Sequence, residues 1–449
     1  MGCAEAERVE RLVRQEPGVP GLRLLLDDDA LAAWLTERLG PAAGAARRTY
    51  LRWKPGAGGV ARVRLAGPVT SDEGRTGGDD LFLAVWHRDS AAKLDKTLLR
   101  GGGSLVVVDH DALAVLGRPA ADRDLPALAR LQTHGSRWLR RLDAADDRAR
   151  QRLNRVAGGH DPAVTLAWKP QRRWVGLAGD RDGAGVVLRA CRPAALPGVV
   201  LRYRAAAHAL AGAGASGHPV PQLLGVNRRR GLVAVEHLPG IALDDVTGAG
   251  TASAHHAAGG LLARLHGAGA AGGATAGVPG LGPDAELRAL VAAARTVDLL
   301  LPDAGAGEVA TELGRALLGL PRREPVLLHG DLSPDQLVVA PDGDAGLIDL
   351  DEVALGPASY DLAGMAASLR LAHPLTADDR LADLLAGYAA HHAPPGADEL
   401  RVRTAAHLLR RAPEPFRSGR DGWAGQVGQA VRAAAQVLRS GSAREGVLR

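Results

Sequence analysis

Apolar residues recur along the first 48 positions at the three-to-four spacing of amphipathic helices. The spacing predicts helices over Ala4–Gln15 and Asp29–Leu39, the second with Asp27 to Asp29 supplying a cap and favourable N-terminal charge. The period then drops to two. LRWKPGAGGVARVRL, from Leu51, reads as two strands around a Pro-Gly turn. A Gly/Asp-rich loop, a third strand LFLAVWH (Leu81–His87) and a helix over Ala91–Leu99 follow. The same order recurs: LAWKPQRRWVGLAG (Leu166–Gly179) is a hairpin pattern, Gly185–Cys191 a strand and Leu201–Ala211 a helix, with the two LxWKP strings 115 residues apart. This reads as an internal duplication of a β-β-β-α unit, joined by a helical, charge-rich stretch from Ser136 to Ala157; two unrelated Pro-turned hairpins are the other reading. From Thr251 onward strand signals almost vanish, and helices are predicted over Ala252–Ala268, Asp284–Leu300, Glu308–Leu318 and from Ser359 on. Strands and helices are segregated, so the predicted fold class is α+β.

A chain of 449 residues has room for two or three domains. No apolar run approaches the ~18 residues of a membrane span, and no signal-like stretch opens the chain, so a cytoplasmic protein without a membrane partner is expected. Cys3 and Cys191 alone cannot build a disulfide framework or a cysteine zinc site. The net charge of +5 rests almost wholly on arginine, Lys occurring only at positions 54, 93, 96 and 169. No Gly-Lys dipeptide exists, which excludes the phosphate loop GxxxxGK[ST]. The arginines are spread along amphipathic segments and few aromatic residues are available for base stacking, so a solvated basic surface is expected rather than a nucleic-acid partner. Two GxGxxG strings, Gly212–Gly217 and Gly267–Gly272, follow helical runs where a dinucleotide site requires a strand, and read as loops. The pairs His255/His256 and His391/His392 lack the i, i+4 spacing of a helical metal site and read as solvated. No G-x-S-x-G string supports a hydrolase elbow.

The densest chemistry interrupts the helical half: VLLHGDLSPDQLVVAPDGDAGLIDLDE, from Val326 to Glu352. VLL and LVV read as short strands, the loop His329–Gln336 between them is polar, and the Asp342-Gly343 turn leads to the strand GLI, which delivers Asp349. Asp331, Gln336 and Asp349 are therefore expected to converge at one mouth, and such oxygen-only ligands suit Mg²⁺. Phosphoryl transfer needs acceptor, metal and γ-phosphate held in line and one base within reach, which three oxygen side chains supply.

The string HGDLSPDQ ahead of an Ile-Asp strand resembles the aminoglycoside phosphotransferase and choline kinase-like family, small-molecule relatives of the protein kinases. The resemblance covers roughly residues 160 to 411. It implies a protein-kinase-like two-lobed α+β fold: a β-rich N-lobe over 151–236, a helical C-lobe over 237–449, and residues 1–150 as an extra N-terminal α/β cap. It implies Asp331 as the base, Gln336 and Asp349 as metal ligands on the phosphates of ATP, and His329 with Asp361 of SYDLAG as supports of the catalytic loop. LVAVEHLPG (Leu232–Gly240) looks like the hinge against adenine, which gives Glu236 and Leu238 that role, and LLARLHG (Leu261–Gly267) looks like the helix ending in Leu-His. Gly330 stands where regulated protein kinases carry an Arg, which favours a small-molecule acceptor.

Three departures qualify the match. Gln336 replaces the usual Asn; maltokinase-like sugar kinases share that Gln, an acid matching Asp351 and an N-terminal cap. Arg189 stands where the phosphate-clamping Lys is expected. Ala190 to Val235 contains no acidic residue, so the usual ion pair from the following helix cannot form. The expectation is an ATP- and Mg²⁺-dependent kinase with a hydroxylated small-molecule acceptor; a maltokinase-like sugar kinase and a nucleotide-binding pseudokinase are the alternatives. Asp335, Asp351 and Glu352 either attract a cationic acceptor or are solvated surface charge.

Overall fold

The computed structural model describes residues 3–65, 80–159, 163–179, 185–211, 219–267 and 275–440. The Gly/Asp-rich loop, the string at Gly212–Gly217 and the Gly267–Gly272 string past its first glycine lie outside them. Helices α1 (Cys3–Gln15), α2 (Leu22–Leu26) and α3 (Asp28–Leu39) open the chain. The Asp27 carboxylate caps α3, accepting the Asp29 and Ala30 N–H groups at 2.9 and 3.1 Å. Strands β1 (Arg47–Lys54), β2 (Gly58–Arg64) and β3 (Asp80–Trp86), helix α4 (Ala92–Gly101), β4 (Leu105–Asp109), β5 (Ala114–Gly117) and α5 (Ala127–His134) complete the first unit.

The helix expected from Ser136 to Ala157 is broken. A 3₁₀ stretch, Gly135–Arg141, leads into the two-residue strand β6 (Asp143–Ala144), and α6 (Asp147–Ala157) starts afresh where the Asp146 side chain caps the Ala149 N–H at 2.8 Å. The second unit is β7 (Val164–Lys169), β8 (Arg173–Ala178), β9 (Val186–Cys191), α7 (Leu196–Ala209), β10 (Leu223–Asn227) and β11 (Leu232–Glu236). Helix α7 begins ahead of the expected Leu201 because Pro197 fits a helix's first turn.

The C-terminal part holds β12 (Ile241–Ala242), α8 (Gly250–Gly267), α9 (Pro283–Leu300), α10 (Ala306–Leu318), β13 (Val326–Leu328), β14 (Leu337–Val339), β15 (Ala345–Leu347) and β16 (Ala354–Gly356). Helices α11 (Ser359–Ala372), α12 (Ala377–Ala389), α13 (Ala397–Arg411), α14 (Glu414–Arg417) and α15 (Trp423–Arg439) follow. The fold is α+β, with antiparallel sheets and a largely helical C-terminal part. No helix among the described residues is long and apolar enough to cross a membrane.

The two large sheets are antiparallel and share one strand order: β1-β2-β3-β5-β4 in the first, and β7-β8-β9-β11-β10 in the second, extended by β6. In each, a helix links the third strand to the fourth. The sheets are stacked, and strand alternation shows how. Leu81, Leu83 and Val85 of β3 pack with α1 to α3 and with the C-terminal helices, while Phe82, Ala84 and Trp86 face the second sheet. There they meet Trp168, Trp174, Leu188 and Leu232, with Phe82 and Trp168 edge to face at 6.2 Å. The opposite face of the second sheet, Val233 and Val235, packs on α7, α8 and the helical half. Strand β3 is thus buried on both sides, which is why its sequence is a near-continuous apolar run. His255, expected in solvent, is fully buried on α8; its Nδ1 lies 2.8 Å from the Thr251 carbonyl, and burial holds its pKa below the ordinary value.

Candidate active site

The loop His329–Gln336 leaves β13 and is tied down from below. The Asp361 carboxylate, at the start of α11 and buried, accepts the His329 and Gly330 N–H groups at 2.6 and 2.9 Å. His266 Nε2 lies 3.2 Å from the same carboxylate, and His266 Nδ1 lies 2.9 Å from the Tyr388 hydroxyl. Burial alone would raise the Asp361 pKa; the His266 hydrogen bond and charge, with His329 and the Gly330 N–H, outweigh it and hold it below the ordinary value. Gly330 has φ +85°, and a Cβ there would stand 1.9 Å from the Glu352 carbonyl oxygen, so only glycine closes this turn. His329 Nε2 sits 2.8 Å from the Ile348 carbonyl, which couples the loop to β15.

Asp331 follows with its carboxylate 61 % exposed and 3.9 Å from Arg411. Together with Gln336 it lines a cavity of about 910 Å³ that runs from the hairpin residues Lys169 and Arg173 to α9, α13 and α15. Gln336 donates through Nε2 to Asp335 at 3.2 Å, and its backbone carbonyl accepts the Ile348 N–H at 2.9 Å, which places it beside the end of β15, next to Asp349 in the chain.

Asp349 and Asp351 lie on the turn after β15, Asp349 in the left-handed region at φ +56°. Arg173 Nη1 donates to Asp349 at 2.9 Å and to Asp351 at 3.1 Å; Arg189 donates to Asp349 at 3.1 Å and contacts Asp351 through Nη2. Burial would raise the Asp349 pKa, but Arg173 and Arg189, helped by His329 and Lys169, hold it below the ordinary value. Arg189 thus finds its counter-charge on the turn after β15 instead of on α7, whose face beside the sheet is apolar: Val199, Val200 and Tyr203 are buried. Four buried polar atoms of this group have no hydrogen-bond partner: Arg173 Nε, Arg189 Nε, Asp351 Oδ1 and His329 Nδ1. A buried, unsatisfied cluster of two guanidinium donors and a carboxylate oxygen matches a ligand that brings anionic oxygens and a cation together.

The 910 Å³ cavity collects Asp331 and Gln336 but not Asp349, Arg189, Glu236 or Leu238. Glu236 at the end of β11 is taken by Arg152 of α6 at 2.7 Å, and Leu238 lies over Gly346 of β15. Among the described residues no group of three His, Cys, Asp or Glu side chains surrounds a metal position. Asp349, Asp351 with its free Oδ1, and the Gln336 amide nevertheless fit Mg²⁺, which takes one or two carboxylates and completes its shell with phosphate oxygens and water.

Arg173 was not singled out by the sequence reading. Its signal was present: the second LxWKP hairpin continues QRR where the first continues GAGG. The hairpin is also held from the first sheet. Asp122, buried, accepts the Gln171 N–H at 2.7 Å, and Arg52 of β1 donates to the Gln171 side chain at 2.9 Å, fixing a turn in which Gln171 has φ +61°.

A family model described as phosphotransferase enzyme family matches residues 152–405, more than half of the chain. A search of curated proteins returns no match. Among solved structures the chain is similar to a choline/ethanolamine kinase family protein from Mesorhizobium loti, at 15 % identity over 63 % of this chain and 90 % of that one, TM-score 0.46. It is also similar to the macrolide 2'-phosphotransferase of Brachybacterium faecium, at 21 % identity over 68 % and 97 %, TM-score 0.43, and to the choline kinase of Streptococcus pneumoniae, at 15 % identity over 62 % and 94 %, TM-score 0.45.

Proposed function

Because the chain belongs to the phosphotransferase enzyme family, we propose that it moves the γ-phosphate of ATP to a hydroxyl of a small molecule, within the range of aminoglycoside-, amino-alcohol- and sugar-like acceptors. The acceptor oxygen bonds to the γ-phosphorus, the bond to the β,γ-bridging oxygen breaks, ADP leaves, and the Asp331 carboxylate takes the hydroxyl proton. Asp331 suits that role because the two residues before it are held by Asp361 while its carboxylate, mostly exposed and 3.9 Å from Arg411, lines a large cavity. Arg189 and Arg173 supply the positive charge for the phosphates. Glu236 and Leu238 stand at the adenine end of this reading. Mg²⁺, when bound, would neutralise charge on the phosphate oxygens; Asp349, Asp351 and Gln336 are the residues that would hold it. On this reading 1–150 is a cap, 151–236 the N-lobe and 237–449 the C-lobe.

The observation that carries the proposal is the set of unpartnered buried atoms on Arg173, Arg189, Asp351 and His329, with Arg173 lining the same cavity as Asp331. The test is transfer of labelled phosphate from Mg²⁺-ATP to a panel of sugars, amino alcohols and aminoglycosides. Asp331→Asn is expected to lower turnover by about 10²- to 10⁴-fold, as for a lost general base. A second reading, a nucleotide-binding pseudokinase, is favoured by the double arginine clasp on Asp349 and Asp351. ATP-dependent thermal stabilisation with no transfer to any acceptor would replace the first reading by the second.

A further inference from the structure

The cavity's far wall carries a charge pattern that bears on the acceptor. The end of α13, α14 and the turn after it contribute Arg410, Arg411, Arg417 and Arg420, and α11 contributes Arg370. The acids that line the same space are already engaged. Glu414 pairs with Arg417 at 3.3 Å, Asp244 lies 2.7 Å from His373 Nε2, and Asp335 accepts from Ser333 at 2.5 Å and from Gln336 at 3.2 Å. Asp331 is the base, 3.9 Å from Arg411. Of the arginines, Arg370 is paired with Asp378 at 2.6 Å, whereas among the described residues Arg410 meets only the Tyr360 hydroxyl and ring and Arg411 a backbone carbonyl besides Asp331. Arg420 is exposed, with no side-chain partner among the described residues.

One more group faces the space. His407 is 6 % exposed, packed edge to face on Tyr360, and its Nε2 is buried with no hydrogen-bond partner. Burial, with Arg410, Arg411 and Arg403 nearby, keeps the imidazole neutral. A neutral ring nitrogen is suited to a hydroxyl, and the arginine fork to a carboxylate or phosphate. The remaining lining from α9 and α15 is small or neutral, with Ala292, Ala293, Gln426 and Gln429. No acid is left over to neutralise a cationic acceptor.

We propose, resting on the kinase reading, that the acceptor is a hydroxylated anion, a carboxylate or phosphate monoester of a polyol, whose anionic group is held by Arg410 and Arg420 and whose hydroxyls meet His407 Nε2. This separates the chain from acceptors that carry amino groups, and the acids Asp335 and Asp351 do not serve as a cation trap, since they are held by Ser333, Gln336, Arg173 and Arg189.

The test uses the full chain and reads binding and turnover separately. Gluconate and glucose 6-phosphate, the carboxylate and phosphate arms, are compared with glucose, glucosamine and choline, by titration calorimetry in the presence of a non-hydrolysable ATP analogue and by labelled-phosphate transfer from Mg²⁺-ATP. At least one anion is expected to bind and react with a kcat/KM about tenfold or more above glucose, with glucosamine and choline lower still. Arg420→Ala is expected to raise the KM for that anion about tenfold while KM for ATP and kcat stay unchanged; added salt weakens the anion in the same direction. An anion that binds through Arg420 without being phosphorylated upholds the binding assignment and overturns the kinase reading. Preference for glucosamine or choline, equal use of all sugars, or no binding of either anion overturns the assignment, and the kinase reading then stands or falls on transfer to the other acceptors.

Discussion

The two large sheets have the same strand order and the same helix insertion, yet among the described residues only one of them lends side chains to the candidate site. Hairpin and ladder pairings align them residue by residue. Trp53 opposite Gly59 matches Trp168 opposite Trp174, and Lys54 opposite Gly58 matches Lys169 opposite Arg173. Carried to the third strand, Gly58 opposite Trp86 and Val60 opposite Ala84 match Arg173 opposite Cys191 and Val175 opposite Arg189. The two cations that hold Asp349 and Asp351 therefore occupy the places where the first sheet has Gly58 and Ala84. Stacking explains the difference. The face of the first sheet that carries Ala84 is buried against the second sheet, where a guanidinium would have no counter-charge. The matching face of the second sheet meets the turn after β15, where two carboxylates wait. At Gly58, φ is +104° and a Cβ would stand 2.3 Å from the Val85 carbonyl oxygen, so that hairpin closes on glycine and presents no side chain. One topology thus serves as a packing layer or as a lobe that presents two paired cations, according to what its front face meets.

The largest effect comes from forcing one sheet to resemble the other. Ala84→Arg would bury an unpaired charge between the sheets and is expected to cost about 4 kcal/mol or more, read as loss of the cooperative unfolding transition or a large fall in its midpoint. The converse, Arg189→Ala, leaves Asp349 and the buried Asp351 with Arg173 alone, the more exposed of their two cations. A loss of about 3–5 kcal/mol is expected, with phosphotransfer down by about 10²-fold or more, measured by denaturant titration and by kcat. Arg173→Gly removes the more exposed of the two cations. A smaller stability loss and a raised KM for ATP are expected, with Arg189 still on Asp349. If both single variants behaved as wild type in nucleotide affinity, the contrast between the sheets would concern packing alone.

How much of this was open to sequence reading follows from the range of the forces involved. The β-β-β-α order, the α+β class and the HGD segment are local patterns, set by strand period, Pro-Gly turns and residue types a few positions apart. Arg189 and Asp349 are 160 residues apart, and Arg173 and Asp351 are 178 apart. Nothing local tells Arg189 that its counter-charge lies after β15 and not on α7; the missing acid between Ala190 and Val235 announced only that the usual partner was gone. The stretch Ser136–Ala157 kept a helical composition, but pairing of β6 with β10 and the Asp146 cap interrupted it. His255 carried no signal of burial, because packing of α8 against other helices decides it. The arginine-lined wall of the cavity was equally hidden, since Arg410, Arg411 and Arg420 look like the many surface arginines of this chain.

The smallest effect tests whether the first sheet serves the second one's hairpin as well as packing on it. Asp122 leaves the first unit, is buried, and accepts the Gln171 N–H at the tip of the hairpin that presents Lys169 and Arg173. Burial pushes its carboxyl up to about 6, against the opposing hydrogen bonds from the Gln171 and Asp124 N–H groups. The folded pKa lies above the unfolded one, so the folded chain holds the proton longer: stability is fullest below about pH 4, falls as pH rises to about 6, and is level beyond, a change on the order of 3 kcal/mol. Asp122→Asn keeps an acceptor oxygen without the charge, and should abolish that slope while leaving KM for ATP near the wild-type value. Asp122→Ala should abolish the slope too, but it frees Gln171 and should raise KM for ATP by a few fold. An unchanged KM in the alanine variant would mean that the hairpin holds its own shape, and that the first sheet contributes only the apolar face on which Trp168 rests.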